Sequence, residues 1–204
     1  MASRGEFTQL WIAPIPALDE LLERAEEVDL RAVAECRGDN RKREILAWRA
    51  LVRRHLGCDV VISYNENGAP TLNDGGYISV SHNSTHVAVA YSKERVCGVD
   101  IESEQRNFSA IISRYLTREE LSLLNHAAWC CIAWSAKETL YKLAQERGLN
   151  FLEDIRLHRV ELISQADKVE ECNLVPLGRI ECSVKRRDYL LNFAPIDGGW
   201  VVWY

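Results

Sequence analysis

The sequence predicts an α+β fold in which antiparallel strands pack with helices, a sandwich of the α/β type. Three observations carry that expectation. Residues 77–80, 87–91 and 96–101 alternate or run apolar and are joined by polar connections, the pattern of successive antiparallel strands. Residues 40–56 and 126–147 hold good helix formers without an internal Pro or Gly, and are followed by Gly57 and Gly148. Beyond Gly148, apolar segments at 155–163, 179–184, 189–194 and 200–204 make the second half rich in strands.

The remaining elements follow in order. Residues 7–13 read as a strand stopped by Pro14 and Pro16, and Leu18, Leu21, Leu22, Ala25 and Val28 then recur on one helical stripe. The helix over 40–56, with Asn40 as its N-cap, sets Arg41, Lys42, Arg43, Arg49, Arg53 and Arg54 against the single acid Glu44, around a core stripe of Ile45, Leu46, Leu51 and Val52. Residues 60–63 form a short strand, and Asn65-Glu66-Asn67-Gly68-Ala69-Pro70 is turn chemistry. Ser81 and His82 fall at the turn after the strand that begins at Tyr77. Residues 103–107 are short and polar, a joint between 1–103 and 104–204. Thr117-Arg118-Glu119-Glu120 has the Thr-x-x-Glu pattern of a capping box, in which Glu120 reaches back to the Thr117 amide.

Composition excludes several functional classes. The 204 residues suffice for one compact domain or two tightly joined halves, and 47% hydrophobic content is ample for a core. A net charge of −5 argues against bulk binding to nucleic acid or to an anionic membrane. No stretch approaches the ~20 apolar residues of a membrane span and residues 1–9 lack a secretory leader's apolar run, so a cytoplasmic location is expected. The seven cysteines are odd in number and contain no Cys-x-x-Cys pair, which points to neither a disulfide framework nor a zinc site.

The chemistry concentrates in two stretches. In Trp134-Ser135-Ala136-Lys137-Glu138-Thr139-Leu140-Tyr141-Lys142, Glu138 and Lys142 share one helical face, with Trp134 one turn earlier. Taken alone, that pair reads as a surface salt bridge of about 0.3–0.5 kcal/mol. In Val96-Cys97-Gly98-Val99-Asp100-Ile101-Glu102, strand alternation projects Asp100 and Glu102 from one face and sends Val99 and Ile101 to the other. Two adjacent carboxylates repel, which either a solvated strand end or a divalent cation relieves. If the helix lies on this strand end, Asp100, Glu102 and Glu138 form a three-carboxylate cluster suited to Mg²⁺, with Lys137 and Lys142 beside the phosphates that complete its shell.

Together, Gly98-Val99-Asp100-Ile101-Glu102 and Trp134 to Lys142 resemble the two signature motifs of the 4′-phosphopantetheinyl transferases, and Ser79-Val80-Ser81-His82-Asn83-Ser84 resembles the Ser-His motif that precedes them. The motifs occur in family order over residues 41–142. In length the chain is similar to the longer, surfactin-synthetase-activating type, which implies a monomer of two similar halves related by pseudo-twofold symmetry, each an antiparallel sheet packed with helices. The resemblance further implies coenzyme A as donor substrate, an apo acyl, peptidyl or aryl carrier protein as acceptor, and Mg²⁺ or Mn²⁺ on Asp100, Glu102 and Glu138. Arg41 or Arg43 would hold the 3′-phosphate or the pyrophosphate, and Ser81 and His82 the phosphates and adenine side. Lys142, with or without Lys137, would offset the α-phosphate charge. Glu138, Glu120 and a water on the ion stand as alternative proton acceptors. Many relatives have Gly-Lys-Pro where this chain has Gly68-Ala69-Pro70, so one phosphate contact is missing.

The implied reaction is attack of a carrier serine on the β-phosphate of coenzyme A, releasing adenosine 3′,5′-bisphosphate, a phosphoryl transfer that relies on positioning and charge neutralisation. Two rivals use the same residues: a coenzyme A sensor or carrier-docking protein without turnover, and a metal-dependent nucleotide pyrophosphate hydrolase with water as nucleophile. Carrier domains tend to be acidic, and Lys185-Arg186-Arg187 and Arg53-Arg54 are the candidate basic patches facing them.

Overall fold

The structure, a computed structural model, describes residues 8–163 and 174–204. Strand β1 (Gln9–Pro14) leads into two short helices, α1 (Leu18–Arg24) and α2 (Glu27–Val33). The expected single stripe breaks between them because Ala25 is extended and α2 turns Asp29 and Val33 inward, which leaves Val28 exposed. Helix α3 (Asp39–Leu56) starts from Gly38, not from an Asn40 cap, and ends as expected at Gly57, whose φ of +96° suits glycine. A small hairpin of β2 (Ile62–Tyr64) and β3 (Pro70–Leu72) precedes β4 (Tyr77–His82), β5 (His86–Ser92) and β6 (Val99–Ser103). Then come α4 (Arg118–Leu121), α5 (Trp129–Ala144), and the strands β7 (Ile155–Leu162), β8 (Gly178–Val184), β9 (Arg187–Ile196) and β10 (Gly199–Trp203).

Besides the β2–β3 hairpin, the described residues form two antiparallel sheets, ordered β1-β5-β4 and β6-β10-β9-β8-β7. The expected succession of three neighbouring strands holds for β4 and β5 only. β5 is already flanked by β1 and β4, so β6 crosses to the other sheet and pairs with β10. The sheet boundary therefore falls before Val99, ahead of the polar joint at 103–107.

Alternation on β5 explains the layering. Val87, Val89 and Tyr91 pack with Ile45, Trp48 and Val52 of α3, while Ala88 and Ala90, on the other face, meet Val99, Ile101, Val201 and Trp203 of the second sheet. The far face of that sheet, through Trp200 and Val202, packs with Ile132, Ala136 and Leu140 of α5. The order is helix, sheet, sheet, helix, the α+β sandwich predicted. Small alanines at 88 and 90 let the two sheets approach. Among the described residues, no helix is long and apolar enough to cross a membrane. Six cysteines are free thiols, and Cys172 lies outside the described residues.

Candidate functional site at the seam of the two sheets

The chemistry-bearing residues gather where the free edge of β6 meets β4 under the last turns of α5. Register pairs Asp100 with Val202 and Glu102 with Trp200, so both carboxylates project from the face of β6 that carries α5, as alternation requires. Lys142 closes the seam: its ammonium donates to Asp100 Oδ1 at 2.9 Å, to the Val99 carbonyl at 2.8 Å and to the Val80 carbonyl at 3.4 Å. Ser81 and His82, expected in a turn, are the last residues of β4. The Ser81 hydroxyl donates to Asp100 Oδ1 at 2.8 Å, and Ser79 Oγ accepts from the Val99 amide at 3.1 Å. Ser81 thus fixes a carboxylate in this structure.

Glu138 lies one turn before Lys142. Burial first, then the neighbouring Asp100 and Glu102 carboxylates, push its pKa above the ordinary value, while Lys142 and Arg106 pull it down. No hydrogen bond opposes that rise. Glu102 accepts from the Ser103 amide at 3.0 Å and pairs with Arg106, whose guanidinium lies 4.6 Å from the Trp134 ring centroid and 5.5 Å from that of Phe108. Asp100 and Glu102 both act against the charge on Glu138, which has no hydrogen-bond partner among the described residues, and carboxylates so placed are a donor set that fits a hard divalent cation. They are not a ready-made cage. Among the described residues no three His, Cys, Asp or Glu side chains are disposed to hold a metal, and Lys142 and Arg106 supply the counter-charge to Asp100 and Glu102.

Lys137 and Glu120 are placed elsewhere, away from the seam. Lys137 is wholly buried, donating to Glu120 at 2.9 Å, to the Phe151 carbonyl at 2.8 Å and to the Ile155 carbonyl at 3.0 Å. All three ammonium protons are used, so none is left for a cofactor phosphate. Burial lowers its pKa against the opposing pull of Glu120. Glu120 completes the capping box at Thr117 and also accepts from the Leu157 amide at 2.9 Å. This carboxylate, 97% buried and held by three donors, is a structural anchor between α4, α5 and β7.

On the other side of the seam, Arg41 Nη1 lies 3.3 Å from His82 Nε2, and Glu44 approaches both. Burial lowers the His82 pKa, with Arg41 and Lys142 acting in the same sense and Glu44 and Asp100 opposing, so the ring belongs to the same electrostatic group as the seam. Arg43 does not join it: its guanidinium donates to the Ile15 and Pro16 carbonyls at 3.2 and 3.1 Å.

A cleft of about 770 Å³ opens beside Lys142. Its walls are apolar (Pro70, Leu72, Ile78, Val96 and Tyr141), and its lip is the Asn67-Gly68-Ala69 turn and Gly75-Gly76. The family model of the 4′-phosphopantetheinyl transferase superfamily matches residues 96–194. That span contains Asp100, Glu102, Glu138 and Lys142, and the match supports phosphopantetheinyl transfer in general; Arg41, Ser81, His82 and the whole cleft lip precede it. Among curated proteins, nothing matches the chain.

Sequence reasoning missed Arg106, read as part of a polar joint; its only signal is a position four residues after Glu102, which carries no meaning off a helix. Of the suggested basic patches, Arg53 is buried against Asp29 together with Arg49, and Lys185 pairs with Glu146 at 2.6 Å, leaving Arg54, Arg186 and Arg187 exposed.

Proposed function

We propose that the protein transfers the 4′-phosphopantetheine arm of coenzyme A to a serine of an apo carrier protein and releases adenosine 3′,5′-bisphosphate, as the longer, surfactin-synthetase-activating type of the family does. The observation that carries this reading is the Lys142 side chain, which is bound to Asp100 and also lines the cleft. A nucleotide lying in the cleft, base against the apolar walls, brings its pyrophosphate to the carboxylate cluster. There Lys142 offsets charge on the α-phosphate, and Arg41 with His82 approaches the same group from the β4 side. Asp100, Glu102 and Glu138 would hold a divalent cation, Mg²⁺ or Mn²⁺, which supplies charge neutralisation for the transferring phosphoryl group. Glu102, which pairs with Arg106, would release that partner to hold the ion. Glu138, whose pKa is raised by burial and by Asp100, and a water on the ion are the candidate acceptors of the serine proton, and Ser81 keeps Asp100 in register.

The test is the intact mass of several apo acyl, peptidyl and aryl carrier proteins after incubation with the protein, coenzyme A and Mg²⁺. A phosphopantetheine mass gain that disappears with Glu138→Ala supports the reading. Coenzyme A cleaved without any carrier, or bound without transfer to any carrier, overturns it.

A further inference from the structure

Helix α5 lies on the strand pair β6–β10 through a stripe of small side chains four residues apart, Cys131, Ser135 and Thr139, all buried. The outer two are bonded to the sheet beneath. Cys131 Sγ donates to the Glu102 carbonyl at 3.7 Å, and the Thr139 hydroxyl to the Val202 carbonyl at 3.1 Å. Since Val202 is the register partner of Asp100, Ser135 lies over the sheet between the levels of the two carboxylates. Its hydroxyl is wholly buried and has no hydrogen-bond partner among the described residues. Nor does it turn back onto the Cys131 carbonyl, the common recourse of a serine inside a helix.

Close packing accounts for a small residue at 135 but not for a hydroxyl. Ala133 and Ala136 fill neighbouring positions of the same helix, wholly buried, with no polar atom to satisfy. A buried donor without an acceptor is a cost that alanine would remove. An acceptor with the complementary lack lies one turn on. Asp100 accepts from Ser81 at 2.8 Å and from Lys142 at 2.9 Å, and Glu102 from the Ser103 amide at 3.0 Å and from Arg106. Glu138 accepts from none of the described residues. Three residues apart, Ser135 and Glu138 are neighbours on one face of the helix, about 60° apart around its axis. Carboxylates that ligate a metal are themselves oriented by hydrogen bonds, and these outer partners set much of the affinity.

We propose that Ser135 is a positioning residue whose hydroxyl donates to the Glu138 carboxylate when that side chain turns toward a divalent ion beside Asp100 and Glu102. The proposal rests on the ion invoked in the function proposed above, and adds to it a side chain that touches neither the ion nor the donor nucleotide. Each of the three carboxylates then has a hydroxyl or amide donor of its own: Ser81 for Asp100, the Ser103 amide for Glu102 and Ser135 for Glu138.

The experiment is calorimetric titration of Mn²⁺ into the metal-free protein, without nucleotide or carrier, alongside urea unfolding of the same samples. Glu138→Ala identifies the Mn²⁺ uptake that belongs to the seam. Ser135→Ala is expected to weaken that uptake by about ten- to a hundredfold. Its metal-free urea midpoint should stay at or above the wild-type value, because the hydroxyl has no partner to lose. Ser135→Cys, close in size and a weak donor, should fall between the two in Mn²⁺ affinity. An affinity in Ser135→Ala equal to that of the wild type overturns the proposal, and so does a lowered metal-free midpoint, the mark of a purely structural hydroxyl. A wild type without Glu138-dependent uptake overturns both this proposal and the ion of the proposed function. A wild type that binds Mn²⁺ and modifies a carrier, with Ser135→Ala its equal in both, overturns the proposal alone.

Discussion

Lys137 and Glu120 form a fully buried ion pair, 2.8 Å apart, that ties the middle of α5 to α4 and β7. Breaking such a pair leaves an uncompensated charge in the interior, at a cost of about 3–5 kcal/mol. Lys137→Met is predicted to lose that much stability in urea unfolding, and Lys137→Met with Glu120→Leu to recover a large part of it. Glu120→Gln, assayed at equal folded fraction, should keep the wild-type shape of the pH–rate profile, because the three donors that hold this carboxylate make it an anchor for α5. A single Lys137→Met variant as stable as the wild type would show that the pair contributes nothing.

The same two residues show where sequence reasoning succeeds and where it stops. The capping box at Thr117 and the alternation that brings Asp100 and Glu102 to one face were legible because both are local rules of backbone geometry. The partner of Lys137 was not. Position 137 adjoins Glu138 in sequence but points a quarter-turn away from it on a helix, and only the packing of α5 over β7 decides that this quarter faces the core. Likewise the transfer of β6 to the second sheet depends on β5 having no free edge, a property of the whole topology. Arg106 sits in a connection without periodicity, so no pattern could single it out.

Glu138 makes pH a probe of the site. Its folded pKa lies above the ordinary glutamate value of 4.5, so the stability tied to its protonated form is fully present below 4.5 and is lost as pH rises through the folded value. In metal-free buffer, Glu138→Gln should therefore melt at a higher temperature than the wild type near neutral pH, and the difference should shrink as pH falls toward 4.5. Mg²⁺ should raise the wild-type melting temperature and leave that of Glu138→Gln nearly unchanged. Identical melting curves at every pH would contradict the crowding of carboxylates described above.

Asp29 predicts the opposite pH slope. Burial disfavours its charge, but hydrogen bonds from Arg53 and Arg49 outweigh that and hold its pKa below 3.8. Its contribution is present above 3.8 and disappears as pH falls through the lower folded value. Asp29→Ala, which strands two buried guanidinium groups, is expected to cost about 3–5 kcal/mol at neutral pH. Urea midpoints measured against pH should show the wild type and the variant converging in acid; parallel curves would mean that the pair does not titrate with folding.

Gly98 sets the distance between α5 and β6, and hence the geometry of the seam. A Cβ there would lie 2.9 Å from Leu143 Cγ, 3.0 Å from the Thr139 carbonyl oxygen and 3.1 Å from Thr139 Cγ2. Leu143 can shift, but the Thr139 carbonyl belongs to the helix, so Gly98→Ala pushes the turn carrying Glu138 and Lys142 off the strand carrying Asp100. Overpacking of this kind costs about 1–3 kcal/mol in stability. A displacement of even about 1 Å in a site that works by positioning costs on the order of a hundredfold in rate. The variant should therefore remain folded at 25 °C and lose far more transfer activity than stability. Since the substitution removes no functional group, comparing its kcat with its urea midpoint separates the two effects: a rate that falls only in proportion to the unfolded fraction would show that the α5–β6 spacing is not what holds Lys142 in its working place.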